Sequence, residues 1–282
     1  MDIIQKSKDI NNWLIDCRRK FHQIPEVGMK EYKTSKLIKK YLESFKIPFE
    51  TIENTGVVGI LKGDLKSDKV VAIRADIDGL PIKEKNDLKY ISKHPGYMHA
   101  CGHDAHIAIA LGVAKILSQN KDKLKGSVKF IFQPAEETVG GAERMIKKGV
   151  LKSPDVKEIF GLHVAPELEV GKIGLKYGQM NAASDTIEII IKGHSTHGAY
   201  PHQGKDAIVI ASQLINAIQT IISRNIDPLE SAVISIGKIN GGTQGNIIAQ
   251  EVKMTGTIRT LNSKTRKKVI KLVKNLVENL PK

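Results

Sequence analysis

Three short segments carry side chains from which a hydrolytic metal centre can be built: His99-Ala100-Cys101-Gly102-His103-Asp104, Gln133-Pro134-Ala135-Glu136-Glu137 and Gly161-Leu162-His163. Thiolate, imidazole and carboxylate together suit zinc or a similar first-row ion, with manganese and cobalt as alternatives. Cys101 and His103 are two positions apart, and Gly102 between them relaxes the backbone so that both can face one centre. A lone Cys-x-His reads more simply as a small buried thiol beside a loop histidine. The company changes that reading: Asp76, Asp78, His99, Asp104, His106, Glu136, Glu137 and His163 all fall at expected loop or strand ends. A core does not collect such groups without partners, because burying unpaired charge is costly.

The adjacent pair Glu136-Glu137 separates into two roles if it lies at a turn. One carboxylate can reach a metal, while its neighbour serves as general base toward a water whose pKa the metal lowers to about 7. A solvated acidic helix start before Gly140-Gly141-Ala142-Glu143 is the plainer reading of the same pair. The rival chemistry is a Cys101 nucleophile with His103 or His163 as base, which leaves the paired glutamates without work. Further along, Gly193-His194-Ser195-Thr196-His197-Gly198-Ala199-Tyr200-Pro201-His202 is a histidine-rich loop whose small residues let another surface approach closely. Gly241-Gly242-Thr243-Gln244-Gly245-Asn246 is a glycine-rich turn without the lysine and following helix of a phosphate loop. Arg259 has the fork geometry to pair a substrate carboxylate, or else forms a surface salt bridge.

The elements that must hold these residues follow from periodicity. Apolar residues three and four apart predict amphipathic helices over Lys6–Phe21 and Tyr32–Phe45. Short β-branched runs predict strands at Val57–Leu61, Val70–Ala75 and Val128–Phe132, with a helix over Ala105–Leu117 between the last two. That alternation predicts an α/β catalytic domain built on a mixed sheet with helices on both faces, spanning residues 1–179. The candidate ligands then sit at the carboxyl ends of strands, where open α/β sheets place their sites. Gly171–Gly178 reads as a hairpin or linker. Beyond it a strand at Thr186–Ile191, a helix at Ala207–Ser223, strands at Ala232–Ile236 and Ile247–Arg259 and a helix at Lys264–Leu280 predict a smaller α+β sandwich over residues 180–282.

Composition sets the background. The 282 residues are 41% hydrophobic and 26% charged, enough for an ordinary core and two domains. The net charge of +14 divides as +8 over residues 1–179 and +6 over residues 180–282, so it reads as a lysine-rich solvated surface. With 5% aromatics and no reader motif, neither nucleic acid nor membrane is expected as a partner; an acidic small molecule suits the field better. No signal-peptide core stands at the N-terminus, no apolar run reaches the length of a membrane span, and Cys17 and Cys101 form no disulfide framework. A cytoplasmic location is expected.

The ordered motifs carry a resemblance that runs end to end. Phe21-His22-Gln23-Ile24-Pro25-Glu26, Arg74-Ala75-Asp76-Ile77-Asp78-Gly79-Leu80-Pro81, Met98 through Asp104, Phe132 through Glu137, Gly161-Leu162-His163 and Asn225-Ile226-Asp227-Pro228-Leu229 resemble the M20 family of metallopeptidases and amidohydrolases, in its branch of N-acyl-amino-acid and indoleacetyl-amino-acid hydrolases. The resemblance implies two divalent ions held by Cys101, His103, Glu137 and His163, with Cys101 bridging and Glu136 as general base. It implies that residues 180–282 are a lid that mediates homodimerisation. His197 would then reach the partner's site to stabilise an oxyanion, and Asn246 and Arg259 would help hold the substrate carboxylate. Against the family pattern the chain reads as truncated at its C-terminus: relatives continue past the position of Lys282 with a further metal-binding histidine, whereas no histidine follows His202 here. The function implied is hydrolysis of the amide bond of an N-acyl amino acid. N-acetyl-diaminopimelate deacetylation is the alternative substrate choice, and a remnant acting only through dimerisation or peptide binding is the non-enzymatic alternative.

Overall fold

The structure, a computed structural model, describes residues 2–138 and 140–280. The chain divides into two compact units, Met1–Glu169 and Val170–Lys282. The division falls ten residues ahead of the expected 179/180 boundary. Residues 170–182 contain no helix or strand, so the segment expected as a hairpin or linker at Gly171–Gly178 is irregular, as a linker is, with its side chains exposed.

The first unit is built on a five-stranded sheet. Its strands are β1 (Phe49–Ile52), β2 (Gly56–Lys62), β3 (Leu65–Asp76), β4 (Lys125–Gln133) and β5 (Glu158–Gly161), in the spatial order β1-β2-β4-β3-β5. The two pairs that involve β2 are antiparallel, whereas β3 runs parallel to β4 on one side and to β5 on the other. The sheet is therefore mixed, as expected. Among the described residues five α-helices complete the unit: α1 (Ile3–Asp9), α2 (Asn11–His22), α3 (Tyr32–Ser44), α4 (His103–Ser118) and α5 (Gly141–Lys147). The single helix expected from Lys6 to Phe21 is two, broken at Ile10, because only α2 buries a face (Cys17, Phe21, His22) while α1 buries nothing.

Alternation along β4 explains the two cores. Val128, Phe130 and Phe132 point to one face and pack with Phe21, Ile38, Leu42, Ile107 and Leu111 from α2, α3 and α4. Ile131 points to the other face, with Met145 and Val150 around α5. Each fully buried aliphatic side chain contributes about 1.5–3 kcal/mol of transfer free energy. Lys129 is the exception on that second face. Buried to 1% exposure, it donates from Nζ to the carbonyls of Val150 (2.6 Å) and Pro154 (3.0 Å), and so fastens the turn after α5 to the sheet.

The parallel arrangement decides where chemistry can collect. α4 is the crossover between β3 and β4, and in register Asp76 lies opposite Gln133 while Arg74 lies opposite Gly161. The carboxyl ends of β3, β4 and β5 thus open on one edge of the sheet, and the segments after them carry Asp78, Glu136 with Glu137, and His163.

The second unit is a three-stranded antiparallel sheet, β6 (Ala183–Lys192), β7 (Ala232–Gly241) and β8 (Glu251–Thr260), in the order β6-β8-β7, with α6 (Ala207–Asn225) and α7 (Ser263–Asn279). Its strand–helix–strand–strand–helix order matches the expectation. The strand expected from Ile247 begins only at Glu251, because Ile247 and Ile248 bond instead to the histidine-rich loop. α6 corrects another expectation. With 19 residues and a mean hydropathy of 1.3 it has the length and composition of a membrane span. Ala207, Ala211, Leu214, Ile218 and Ile221 are nonetheless buried in the core of this unit, at the three- and four-residue spacing of one helix face.

Candidate metal centre

His103 is the first residue of α4, directly after Gly102, whose backbone is left-handed (φ +80°). Only glycine adopts this conformation freely, and a Cβ there would stand 2.4 Å from Cγ2 of Val164. The Cys-Gly-His turn is therefore compressed beneath the chain that leaves β5. His103 is buried, and its Nδ1–H donates to the carbonyl oxygen of Asp78 at 2.8 Å. That bond places the remaining lone pair on Nε2, which is buried without a hydrogen-bond partner. Nε2 lies 3.8 Å from Oε1 of Glu137, and ligand atoms of Cys101, His103 and Glu137 all fall within 4.8 Å of one another.

Charge in the cluster is set by burial against ion pairing. Burial disfavours protonation of His103, but the Asp78 carboxylate 3.3 Å from its Nδ1 and the charges of Asp76 and Asp78 outweigh it and raise its pKa. Burial, a hydrogen bond to Glu137 and the charges of Glu137, Glu136 and Asp76 push the Cys101 thiol up to about 12. A nucleophilic cysteine needs the opposite, a depressed pKa, so the surroundings argue against the cysteine mechanism. They suit a cation, which would neutralise the carboxylates and favour the thiolate. The orphaned imidazole nitrogen, the thiol and the carboxylate meet the donor chemistry of a divalent first-row ion.

Asp76, His103 and His106 also bring ligand atoms within 4.8 Å of one another, but two of the three are already engaged. His106 Nδ1–H donates to Asp76 Oδ1 at 2.6 Å, and its Nε2 accepts the Val164 N–H at 3.0 Å. Oδ2 of Asp76 accepts from Arg74 at 2.7 Å. Burial tends to raise the Asp76 pKa, but the His106 hydrogen bond and the charges of His103 and Arg74 prevail and lower it to about 2. This second group is a hydrogen-bonded support beside the first.

The Glu136-Glu137 pair sits at a turn, as its proposed division of labour requires. Ala135 before it is left-handed (φ +52°), an uncommon conformation for a residue with a side chain. Its N–H is held by Oε1 of the buried Glu31 (2.8 Å), and Oδ2 of Asp78 accepts the Glu137 N–H (3.0 Å). Glu136 is exposed at the surface, but partial desolvation of its carboxyl together with the neighbouring Glu137 charge raises its pKa. That is the direction a general base needs to hold and release a proton near neutrality.

His163 lies on the same rim, with its ring centroid 6.3 Å from that of His103 and 4.7 Å from that of His106. It is exposed, and its Nδ1–H donates to the carbonyl of Val164 at 2.7 Å. Its nitrogens belong to neither ligand group. In the second unit His197 forms a bridge with Ile247, and Gly198 N–H donates to the Asn246 carbonyl at 2.7 Å, so His197 and Asn246 sit in paired loops. Arg259 is elsewhere. It pairs opposite Ser184 at the start of β6, whereas the histidine loop follows Lys192 at the other end, and its guanidinium donates to Thr257 Oγ1 and the Ile258 carbonyl.

Several supporting residues had no assigned role in the sequence reading. His22 is buried between Asp104 (Nδ1 to Oδ2, 2.8 Å) and Glu84 (Nε2 to Oε1, 3.0 Å), and Arg18 donates to the same Asp104 oxygen. Gly79 N–H donates to the Glu26 carbonyl, and Lys93 N–H to that of Gln23. The Phe21–Glu26 motif thus braces the loops around the ligands. Its fixed spacing marked it as a motif, but its partners lie more than fifty positions away. His99 is a different case: it is buried, both ring nitrogens lack a partner, and burial brings its pKa down to about 4.

The sheet topology and the thiol–imidazole–carboxylate cluster at its strand ends define a two-unit α/β protein with a candidate divalent-metal centre. The chain belongs to peptidase family M20/M25/M40, whose model matches residues 72–269. It is 47% identical over 257 residues to the N-acetyl-L-cysteine deacetylase of Bacillus subtilis, covering 91% of this chain and 61% of that protein. It is 44% identical to the N-acetyldiaminopimelate deacetylase of Priestia megaterium, covering 95% and 72%. Among solved structures, the Bacillus subtilis YXEP protein, described as a dinuclear metal-binding peptidase of the M20 family, superposes with a TM-score of 0.81 at 39% identity, covering 97% of this chain and 71% of that one. The chain thus spans less than two thirds of the Bacillus subtilis deacetylase.

Proposed function

We propose that this chain carries the catalytic centre of a metal-dependent amidohydrolase that removes an acyl group from an N-acyl amino acid. The observation that carries the reading is His103: its Nδ1–H is committed to the Asp78 carbonyl, and its buried, unpartnered Nε2 faces the Cys101 thiol and the Glu137 carboxylate. Cys101, His103, Glu137 and His163 would hold two divalent ions, with zinc, manganese and cobalt the candidates. The metal, when bound, supplies Lewis acidity that polarises the amide carbonyl and acidifies water. Glu136 takes a proton from the attacking water and returns it to the nitrogen as the C–N bond breaks, so an amide and water become a carboxylate and an amine. The relatives named for N-acetyl substrates favour acetyl as the acyl group.

Residues 180–282 are proposed to be the lid, through which two copies pair, with His197 reaching the partner's site to stabilise an oxyanion and Asn246 and Arg259 helping to hold the substrate carboxylate. The pairing of the His197 and Asn246 loops supports a shared site for these two residues. Residues 1–179 are the proposed catalytic domain, and the proposed location is cytoplasmic. The 44% identity to an N-acetyldiaminopimelate deacetylase favours that amino acid as a second substrate reading.

The test is release of free amino acid from N-acetylcysteine, N-acetyldiaminopimelate and other acetylated amino acids, with and without added zinc, manganese or cobalt. Metal-dependent release that Glu136→Gln abolishes is the expected result. Metal-independent turnover, or full rate in Glu136→Gln, contradicts the mechanism. Binding of less than one metal equivalent, with no turnover, favours a remnant that only dimerises or binds peptide.

A further inference from the structure

β5 is a four-residue edge strand that among the described residues pairs only with β3, and its ladder ends at Gly161. His163 therefore lies past the last sheet hydrogen bond of its own strand. What anchors the chain there is Val164, at two points. Its N–H donates to Nε2 of His106 at 3.0 Å, and its side chain covers Gly102, between Cys101 and His103, so closely that a Cβ would meet Cγ2 at 2.4 Å. His106 is itself immobilised. It is 2% exposed and donates from Nδ1 to Asp76, and Asp76 accepts from Arg74, whose Nε donates to Gln133 at 2.8 Å. An imidazole that donates at one nitrogen and accepts a backbone N–H at the other has a settled tautomer and ring plane. Neither nitrogen is then left for a metal or a substrate. The chain of bonds begins at the ends of β4 and β3 and terminates on the amide next to His163.

We propose that His106 is a positioning residue: through the Val164 amide it sets His163 beside the Cys101–His103–Glu137 cluster. The inference rests on the reading of His163 as a metal ligand and adds the device that places it. Support of this kind around ligands is worth about 10–100-fold in metal affinity.

The experiment uses the full chain with His106→Ala, His106→Gln, His163→Ala and the double variant His106→Ala/His163→Ala. Hydrogen–deuterium exchange is read at the Val164 amide and along β4, and zinc or manganese affinity by calorimetry. In His106→Ala, Val164 exchange rises roughly tenfold while β4 stays protected. Metal affinity falls about 10–100-fold. In His106→Gln the introduced amide oxygen can accept the Val164 N–H, so this variant recovers most of both. In the His163→Ala background, removing His106 costs no further affinity, as expected when one residue acts through the other. Unchanged Val164 exchange in His106→Ala overturns the proposal whatever the metal does, and so does protection lost throughout β4. An undiminished affinity loss in the double variant overturns it as well. If His163→Ala binds metal like the parent, the ligand reading fails, and Val164 exchange still decides whether His106 places the segment.

Discussion

Nδ1 of His103 lies 2.8 Å from the carbonyl oxygen of Asp78, and this one hydrogen bond decides which ring nitrogen faces the neighbouring thiol and carboxylate. The relationship joins the end of β3 to the start of α4. It turns a local motif, Cys-Gly-His, into a donor set with a defined direction, and it makes the Asp76-Ile77-Asp78 segment part of the site without requiring either aspartate to touch a metal.

Asp78 contributes a second contact, because its Oδ2 accepts the Glu137 N–H at 3.0 Å. Asp78→Ala removes that acceptor together with Oδ1, which lies 3.3 Å from Nδ1 of His103, and leaves the backbone bond to His103 available. Metal affinity is expected to fall about 10–100-fold, as for other groups that orient ligands. Calorimetric titration with zinc checks this, and an unchanged affinity would show that Glu137 needs no such support.

Glu31 bridges two loops, with the Thr55 hydroxyl on Oε2 (2.6 Å) and the Ala135 N–H on Oε1 (2.8 Å). Glu31→Ala leaves the Ala135 N–H buried without a partner, at a cost of about 1–3 kcal/mol. Urea unfolding should report that loss. Because Ala135 leads into the turn of Glu136, kcat should also fall more than KM rises.

His22 makes stability depend on pH. Its hydrogen bond to Asp104 raises its pKa above 6.5; burial opposes this, and the hydrogen bond to Glu84 adds to the rise. The groups that face it are Asp104, Glu84 and the edge of the Tyr90 ring, with Arg18 on the far side of the shared Asp104 oxygen. A raised pKa means that the folded protein binds the proton more tightly than the unfolded chain. The stabilisation is therefore complete below the unfolded value and is lost as pH climbs through the raised folded value. Urea midpoints from about pH 6 to about pH 9 should show the parent's advantage over His22→Gln shrinking as pH rises. A constant difference would mean that His22 is held by shape alone.

Much of this was legible in sequence because it is local. Cys101 and His103 sit on either side of a glycine, Glu136 and Glu137 are adjacent, and α3, α4 and the strands β2 to β4 each show their own period. β1 escaped because Phe49-Glu50-Thr51-Ile52 is short and largely exposed, so no apolar run marks it. The break at Ile10 escaped because the apolar spacing runs on through it. The support around the ligands was hidden for another reason: His22 meets Glu84 and Asp104, and His106 meets Asp76 and Val164, across separations that no periodicity records. The placement of Arg259 was likewise not legible: the register of β8 on β6 sets it opposite Ser184, at the other end of β6 from the His197 loop.

Cobalt(II) titration followed by absorption tests the central claim most directly, because a cobalt–thiolate bond has a charge-transfer band that imidazole and carboxylate ligands do not produce. The account predicts that the band grows to saturation with at least one equivalent of cobalt and disappears in Cys101→Ser. Cobalt that binds without the band, or a band that survives in Cys101→Ser, would contradict it.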